Sequence, residues 1–156
     1  MAAEDSRTAH VVPPPVIFIA ALCLGLAVEY FDPQPVVEPA NVGYVAGGLL
    51  VVLGAALSTW MVLHFHHGGT AVSPLSPSRE LVVTGPYRFT RNPDYIGQAL
   101  VYAGIALVVN SIWVLAGLLP ALAIVRFHVI AREERYLLGR FGRRYAEFCE
   151  RVPRWI

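Results

Sequence analysis

The chain has 156 residues, 56% of them hydrophobic and 15% charged, with a mean hydropathy of +0.54. So little charge, with the apolar residues gathered in long blocks, argues against a soluble domain and for membrane spans. All twelve basic residues are arginine, so every fixed cation offers a planar fork to carboxylate or phosphate. The net charge of +1 is uninformative, and no nucleic-acid partner is expected. Cys23 and Cys149 have neither metal-ligand spacing nor an evident disulfide relation.

The N-terminus lacks the short cleavable pattern of a signal peptide, because its apolar block begins only after Pro13-Pro14-Pro15. That block, about 16–31, is the first predicted span and ends at Asp32-Pro33. The second runs over about 42–65, long enough to cross a bilayer with some tilt. Gly43, Gly47, Gly48 and Gly54 give it small faces for close helix packing. The third and fourth apolar segments, 95–109 and 112–127, are separated only by Asn110-Ser111. Thirty continuous apolar residues would overshoot the bilayer, and Asn-Ser is a fair turn, so a tight helical hairpin is predicted over one long kinked helix. Pro120 is expected to kink the fourth segment. After Phe127, Leu137, Phe141, Tyr145, Phe148 and Val152 recur at three- and four-residue steps. This predicts an amphipathic tail helix that either lies on the membrane surface or folds over a site. The fold class is therefore all-α integral membrane: about four spans plus an amphipathic C-terminal helix, in one membrane domain over 1–156.

Arginine placement sets the orientation. The loop after the first span carries Glu29, Asp32 and Glu38 and no arginine. The 66–94 connection carries Arg79, Arg88 and Arg91, and seven more arginines lie between Arg132 and Arg154. The positive-inside rule puts both termini and the 66–94 connection in the cytoplasm. The polar elements 80–95 and 128–154 then share one membrane face.

Those elements hold the candidate site. Thr84-Gly85-Pro86-Tyr87 reads as a turn. Pro93 can open the third helix with Asn92 as its N-cap, so the positive end of the helix dipole meets the polar layer. Arg88 and Arg91 reinforce an anion there; the competing reading is ordinary positive-inside arginines beside an ordinary helix start. Glu133 and Glu134 are neighbours about 100° apart on a helix, so one can face a ligand while the other pairs with arginine. The competing reading for them is an exposed Glu–Arg lattice. His64, His66 and His67 end the second span and His128 ends the fourth. No local carboxylate or thiol completes a metal set, and no metal is expected. Gly68-Gly69-Thr70 is too generic for a phosphate loop, and Trp60, Trp113 and Trp155 read as interfacial belt residues.

Several runs occur together, in order and spacing: Gly69-Thr70 with Pro74 and Pro77, Leu81 to Arg88, Arg91 to Gly97, Glu133 to Leu137, Phe141 to Tyr145, and Val152-Pro153-Arg154. In these the chain resembles the isoprenylcysteine carboxyl methyltransferase and phospholipid methyltransferase superfamily of integral membrane enzymes, above all its small bacterial members. The resemblance implies S-adenosylmethionine as cofactor, bound at the cytoplasmic membrane edge of a bacterial inner membrane. It implies a pocket of Gly85, Pro86, Tyr87, Arg88, Arg91, Asn92, Pro93, Tyr95, His128, Glu133 and Glu134, with Arg91, Asn92 and Glu134 in catalysis. The implied partners are membrane lipids and a lipid-like or amphiphilic methyl acceptor. Two departures stand out: eukaryotic members usually have His where Asn92 stands, and many bacterial relatives have Met where Asp94 stands. Two other readings stay open. One is an NADPH-dependent membrane reductase, because sterol reductases resemble this superfamily in the same region; their larger multi-span core is absent here. The other is a non-enzymatic lipid-binding module. The acceptor and the oligomeric state are not legible.

Overall fold

A computed structural model describes residues 13–67 and 81–155. Its regular structure is helical, with no strand among the described residues. The chain is an all-α integral membrane protein. The side chains of Phe65, His66 and His67, the Gly68-Gly69-Thr70 run, Pro74, Pro77 and Arg79 lie outside the described residues.

Helix α1 spans Pro14–Phe31 and opens on proline, whose missing N–H costs nothing at a first turn. Helix α2 spans Ala40–His67. Helix α3, Pro93–Val109, and helix α4, Ile112–Ile124, form the predicted hairpin. Asn110 makes the turn possible. It takes the left-handed conformation (φ 55°, ψ 46°), and its N–H caps the last carbonyls of α3. Ser111 then caps α4, its side chain accepting from the Val114 N–H at 3.1 Å. The same two residues knot this membrane face together. Asn110 Oδ1 accepts from the backbone N–H of Val36 and Val37, each at 3.0 Å, and Ser111 Oγ donates to Glu29 at 2.6 Å.

Three helical stretches are long and apolar enough to cross a membrane: Pro14–Phe31, Ala40–His64 and Ile112–Phe141. Helix α3 is shorter, at 17 residues, or about 25 Å. It lies between α2 and α4, and α1 packs along α4. Outward side chains such as Leu24 (68% exposed), Val52 (65%) and Leu119 (72%) are apolar. Patches of that kind are rare on soluble monomers and suit lipid. The α2–α3 seam is tight: a Cβ on Gly47 would lie 2.5 Å from the Gly104 carbonyl oxygen, and one on Gly54 2.6 Å from that of Gly97. Gly43 joins this seam, whereas Gly48 meets nothing within 4 Å among the described residues.

The structure adds one irregularity and corrects one expectation. Helix α4 carries Pro120 within it, and a π-helical stretch follows over Val125–Ile130. It feeds helix α5, Ala131–Phe141, so 112–141 is one rod of about 45 Å against a hydrocarbon layer of about 30 Å. Its last turns, with Glu133 and Glu134, protrude. The tail is two helices rather than one: Gly142 (φ 52°) breaks it before helix α6, Arg143–Arg151, because a positive φ suits glycine and ends a helix. The break turns the apolar stripe inward. Tyr145, Phe148 and Val152 form a buried cluster against Leu81, Tyr87, Leu137, Phe141 and Cys149, so the tail folds over the polar end of the bundle.

Candidate functional site

The approach to α3 begins at Thr84, whose Oγ1 lies 2.8 Å from His64 Nε2. Gly85, Pro86, Tyr87 and Arg88 form a 3-10 turn. Pro86 is buried, Tyr87 half-buried under the tail cluster, and Arg88 exposed. Burial raises the Tyr87 phenol above its usual range, and the charges of Asp94 and Glu133 raise it further. Tyr87 therefore stays a neutral hydrogen-bonding group.

Residues 90–92 are stitched to the end of the tail. The Arg91 N–H donates to the Pro153 carbonyl at 3.0 Å. Thr90 Oγ1 (3.2 Å) and Asn92 Nδ2 (2.8 Å) both donate to the Arg154 carbonyl. Asn92 does occupy the N-cap position of α3, but its side chain makes no cap bond. The N-cap position is as expected, and the Asn92 amide nitrogen ties it to the tail carbonyl. Pro93 opens the helix as predicted and is buried.

Glu133 and Glu134 take different partners, as their helical phase requires. Glu133 Oε1 accepts from the Tyr95 hydroxyl at 2.8 Å. Glu134 sits between two arginines. Arg154 grips it bidentately (Nε–Oε1 2.8 Å, Nη2–Oε2 2.6 Å), and Arg91 Nη1 lies 3.0 Å from Oε1. Arg91 Nη1 also reaches Cys149 Sγ at 2.9 Å, while its buried Nε has no partner among the described residues. The two carboxylates diverge electrostatically. Burial raises Glu133 above the usual carboxylate range; the Asp94 and Glu134 charges add to this and outweigh the Tyr95 hydrogen bond. Burial acts on Glu134 in the same sense. There the Arg154 hydrogen bond and charge, with Arg91 and Arg126, overcome it and hold the carboxyl below its usual range.

The fold thus gathers Tyr87, Arg91, Asn92, Pro93, Tyr95, Glu133 and Glu134 at one end of the bundle. Arg88 stays on the surface. His128 is exposed and faces a groove between α1 and α4, away from this cluster. Sequence reasoning missed Arg154, though it stands in the Val152-Pro153-Arg154 run already singled out. It also misread Trp155, which packs on the buried core of the bundle and lines a lateral groove of about 590 Å³ between α3 and α4. That groove is apolar, walled by Ala99, Ala103, Leu118 and Leu122, with Arg126 and Trp155 at its polar end. Its volume lies in the range of small-molecule sites. No signal in the sequence marks it, since it depends on the spacing of two helices.

Comparison with known proteins places this arrangement. A family model described as phospholipid methyltransferase matches residues 42–144, from α2 through the break at Gly142. The chain belongs to the phospholipid methyltransferase family. It is similar to the Delta(14)-sterol reductase of Mus musculus, 31% identical over 90 residues, covering 54% of this chain and 21% of the reductase. It is also similar to the cobalt-zinc-cadmium resistance protein CzcN of Cupriavidus metallidurans, 36% identical over 73 residues, covering 47% of this chain and 33% of that protein. The matches thus span about a fifth and a third of those relatives. No solved structure matches.

Proposed function

We propose that this family member is an S-adenosylmethionine-dependent methyltransferase that binds its cofactor at the Arg91–Glu134–Arg154 end of the bundle. An apolar or amphiphilic acceptor enters sideways through the α3–α4 groove. The carrying observation is the adjacency of two environments. A charged cluster of Arg91, Tyr95, Glu133, Glu134 and Arg154 stands beside a lateral apolar groove, with Trp155 and Arg126 at the junction. The donor set fits the cofactor. Arg91 has a buried Nε–H available for an anionic group, reinforced by the N-terminus of α3. Glu133 and Glu134 suit an ammonium or ribose hydroxyls. The arginine-rich face is assigned to the cytoplasm by the positive-inside rule.

Bound adenosylmethionine supplies a methyl group on a sulfonium. The chain's own task is placement and exclusion of water. The tail, laced by the Pro153 and Arg154 carbonyls to residues 90–92, closes the polar end. A carboxylate acceptor is ionised at pH 7 and needs no base. For an amine or hydroxyl acceptor, Glu133 is the proton acceptor the site offers, because burial raises its affinity for a proton. His64 is held by Thr84 and His128 faces the other groove, so neither serves.

One observation favours a second reading, a reductase: the similarity to the Delta(14)-sterol reductase. Thermal unfolding of the detergent-purified chain separates the two, since a ligand bound only by the folded state raises the melting temperature. A shift with adenosylhomocysteine and none with NADPH supports the methyltransferase. A shift with NADPH alone overturns it.

A further inference from the structure

The second groove lies between α1 and α4 and encloses about 780 Å³. Along the membrane it is walled by apolar residues, among them Ala20, Leu24 and Ile124, and it ends at His128, Arg132 and Arg135. These three stand four and three residues apart, on one face of the rod as it leaves the bilayer. None of the described residues lining the groove is acidic. The proposed reaction has no use for it, because the groove holds none of Arg91, Glu133, Glu134 and Arg154. An apolar slot of this size with a two-arginine mouth at the depth of lipid headgroups matches one kind of occupant in charge and shape. Basic pockets between spans on the arginine-rich side bind anionic headgroups, and the apolar lining with a volume of about 780 Å³ suits an acyl chain.

We infer that the α1–α4 groove is a binding site for an anionic phospholipid, its phosphodiester held by Arg132 and Arg135 beside His128 and an acyl chain along Ala20, Leu24 and Ile124. The site clamps α1 to the rod that carries Glu133 and Glu134, so occupancy couples membrane composition to the position of those carboxylates. It does not depend on the identity of the chemical reaction.

Native mass spectrometry of the full chain in detergent tests this, titrating phosphatidylglycerol and phosphatidylcholine of matched acyl chains. Phosphatidylglycerol is retained preferentially, one molecule per chain. With each arginine contributing about fivefold near an anionic surface, Arg132→Gln/Arg135→Gln loses roughly thirtyfold of that preference. Arg144→Gln/Arg151→Gln removes equal charge from the exposed face of α6 and keeps it. Ala20→Trp fills an exposed stretch of the slot without touching the core, and abolishes retention. Equal losses from the two double variants, or retention undisturbed by Ala20→Trp, would overturn the site. So would phosphatidylglycerol binding that emerges only after deletion of residues 1–12, because the chain's own N-terminal segment would then be the occupant. An unchanged melting temperature certifies the fold of each variant, and an unchanged shift with adenosylhomocysteine keeps the result separate from the methyltransferase proposal.

Discussion

Glu134→Gln tests the centre of the site. The substitution keeps the shape of the side chain and removes its charge. Three short contacts depend on that charge, at 2.6, 2.8 and 3.0 Å, from two arginines. The side chains of Glu134 and Arg91 are only 18% and 14% exposed, and that of Arg154 29%. Hydrogen bonds to charged groups contribute about 1.5–3 kcal/mol each. Screening at the exposed Arg154 reduces the sum, while leaving two arginines side by side without a counter-ion adds to the loss. The net loss is about 3 kcal/mol, which lowers the melting temperature by roughly 6–12 °C for a chain of this size. The assay is thermal unfolding in detergent with and without adenosylhomocysteine, and Glu150→Gln on the exposed face of α6 is the control. A melting temperature within about 2 °C of the parent chain would refute the network's role in holding tail to bundle. A large drop with the adenosylhomocysteine shift intact would keep the structural role and refute the cofactor role.

The two neighbouring glutamates have opposite pH signatures. Glu134 is held below its usual range by its arginines, so its stabilisation is complete above the ordinary carboxylate pKa of about 4.3 and fades as pH falls through the folded value. The melting-temperature gap between the parent chain and Glu134→Gln is therefore steady at neutral pH and closes in acid. Glu133 is raised, so its ionised form weakens the fold above the folded pKa. Glu133→Gln, which can still accept from Tyr95, raises the melting temperature at neutral and higher pH, and the advantage vanishes in acid. At the α2–α3 seam, Gly47→Val forces atoms against the Gly104 carbonyl and the Val108 side chain and costs about 1–3 kcal/mol, whereas Gly48→Ala, facing open space, is neutral or slightly stabilising in the same unfolding assay. At the hairpin, Asn110→Ala loses bonds to Val36, Val37 and the Val37 carbonyl and strains a left-handed turn, so about 2–4 kcal/mol of stability disappears, read by the shift in denaturant midpoint.

The spans and the hairpin were legible because their causes are local. Apolar blocks, Pro14 and Pro93 at helix starts, and Asn110-Ser111 at a turn act within a few residues of themselves. The seam was legible in part, since glycines mark where backbones approach but not which neighbour they meet. The separate fates of Glu133 and Glu134 followed from helical geometry alone. What stayed hidden arises from distant parts of the chain. Asn92 stands at the N-cap of α3, yet its amide nitrogen donates to the Arg154 carbonyl 62 residues away, a bond that no local pattern marks. The π-helical stretch at Val125–Ile130 has no residue signature, although it sets the phase in which α5 presents its carboxylates. The tail looked like one amphipathic helix because its periodicity runs unbroken through Gly142; only the positive φ there lets the stripe close on Tyr87.

Small residues do opposite work on the two sides of α3. Toward α2, Gly97 and Gly104 meet Gly54 and Gly47, and the backbones close until no side chain fits between them. Toward α4, Ala99 and Ala103 stand where the helices part, and small side chains leave a groove instead of a seam. One face of α3 is thus fixed to a rigid neighbour while the other opens to lipid. The same helix carries Tyr95 at its polar end, bonded to Glu133 on the rod across the groove. Because the rigid seam holds α3 and the hairpin knot holds the far end of α4, the separation of the two helices at the polar end is set mainly by what joins them there. Those joints are Tyr95 to Glu133 and Arg91 to Glu134, with the Arg154–Trp155 tail laid across them. The charged cluster therefore stands beyond the polar end of the apolar groove, where Arg126 and Trp155 line it, and under the proposed function a ligand that rearranges Arg91 or Glu134 alters the end of the groove that the acceptor would reach.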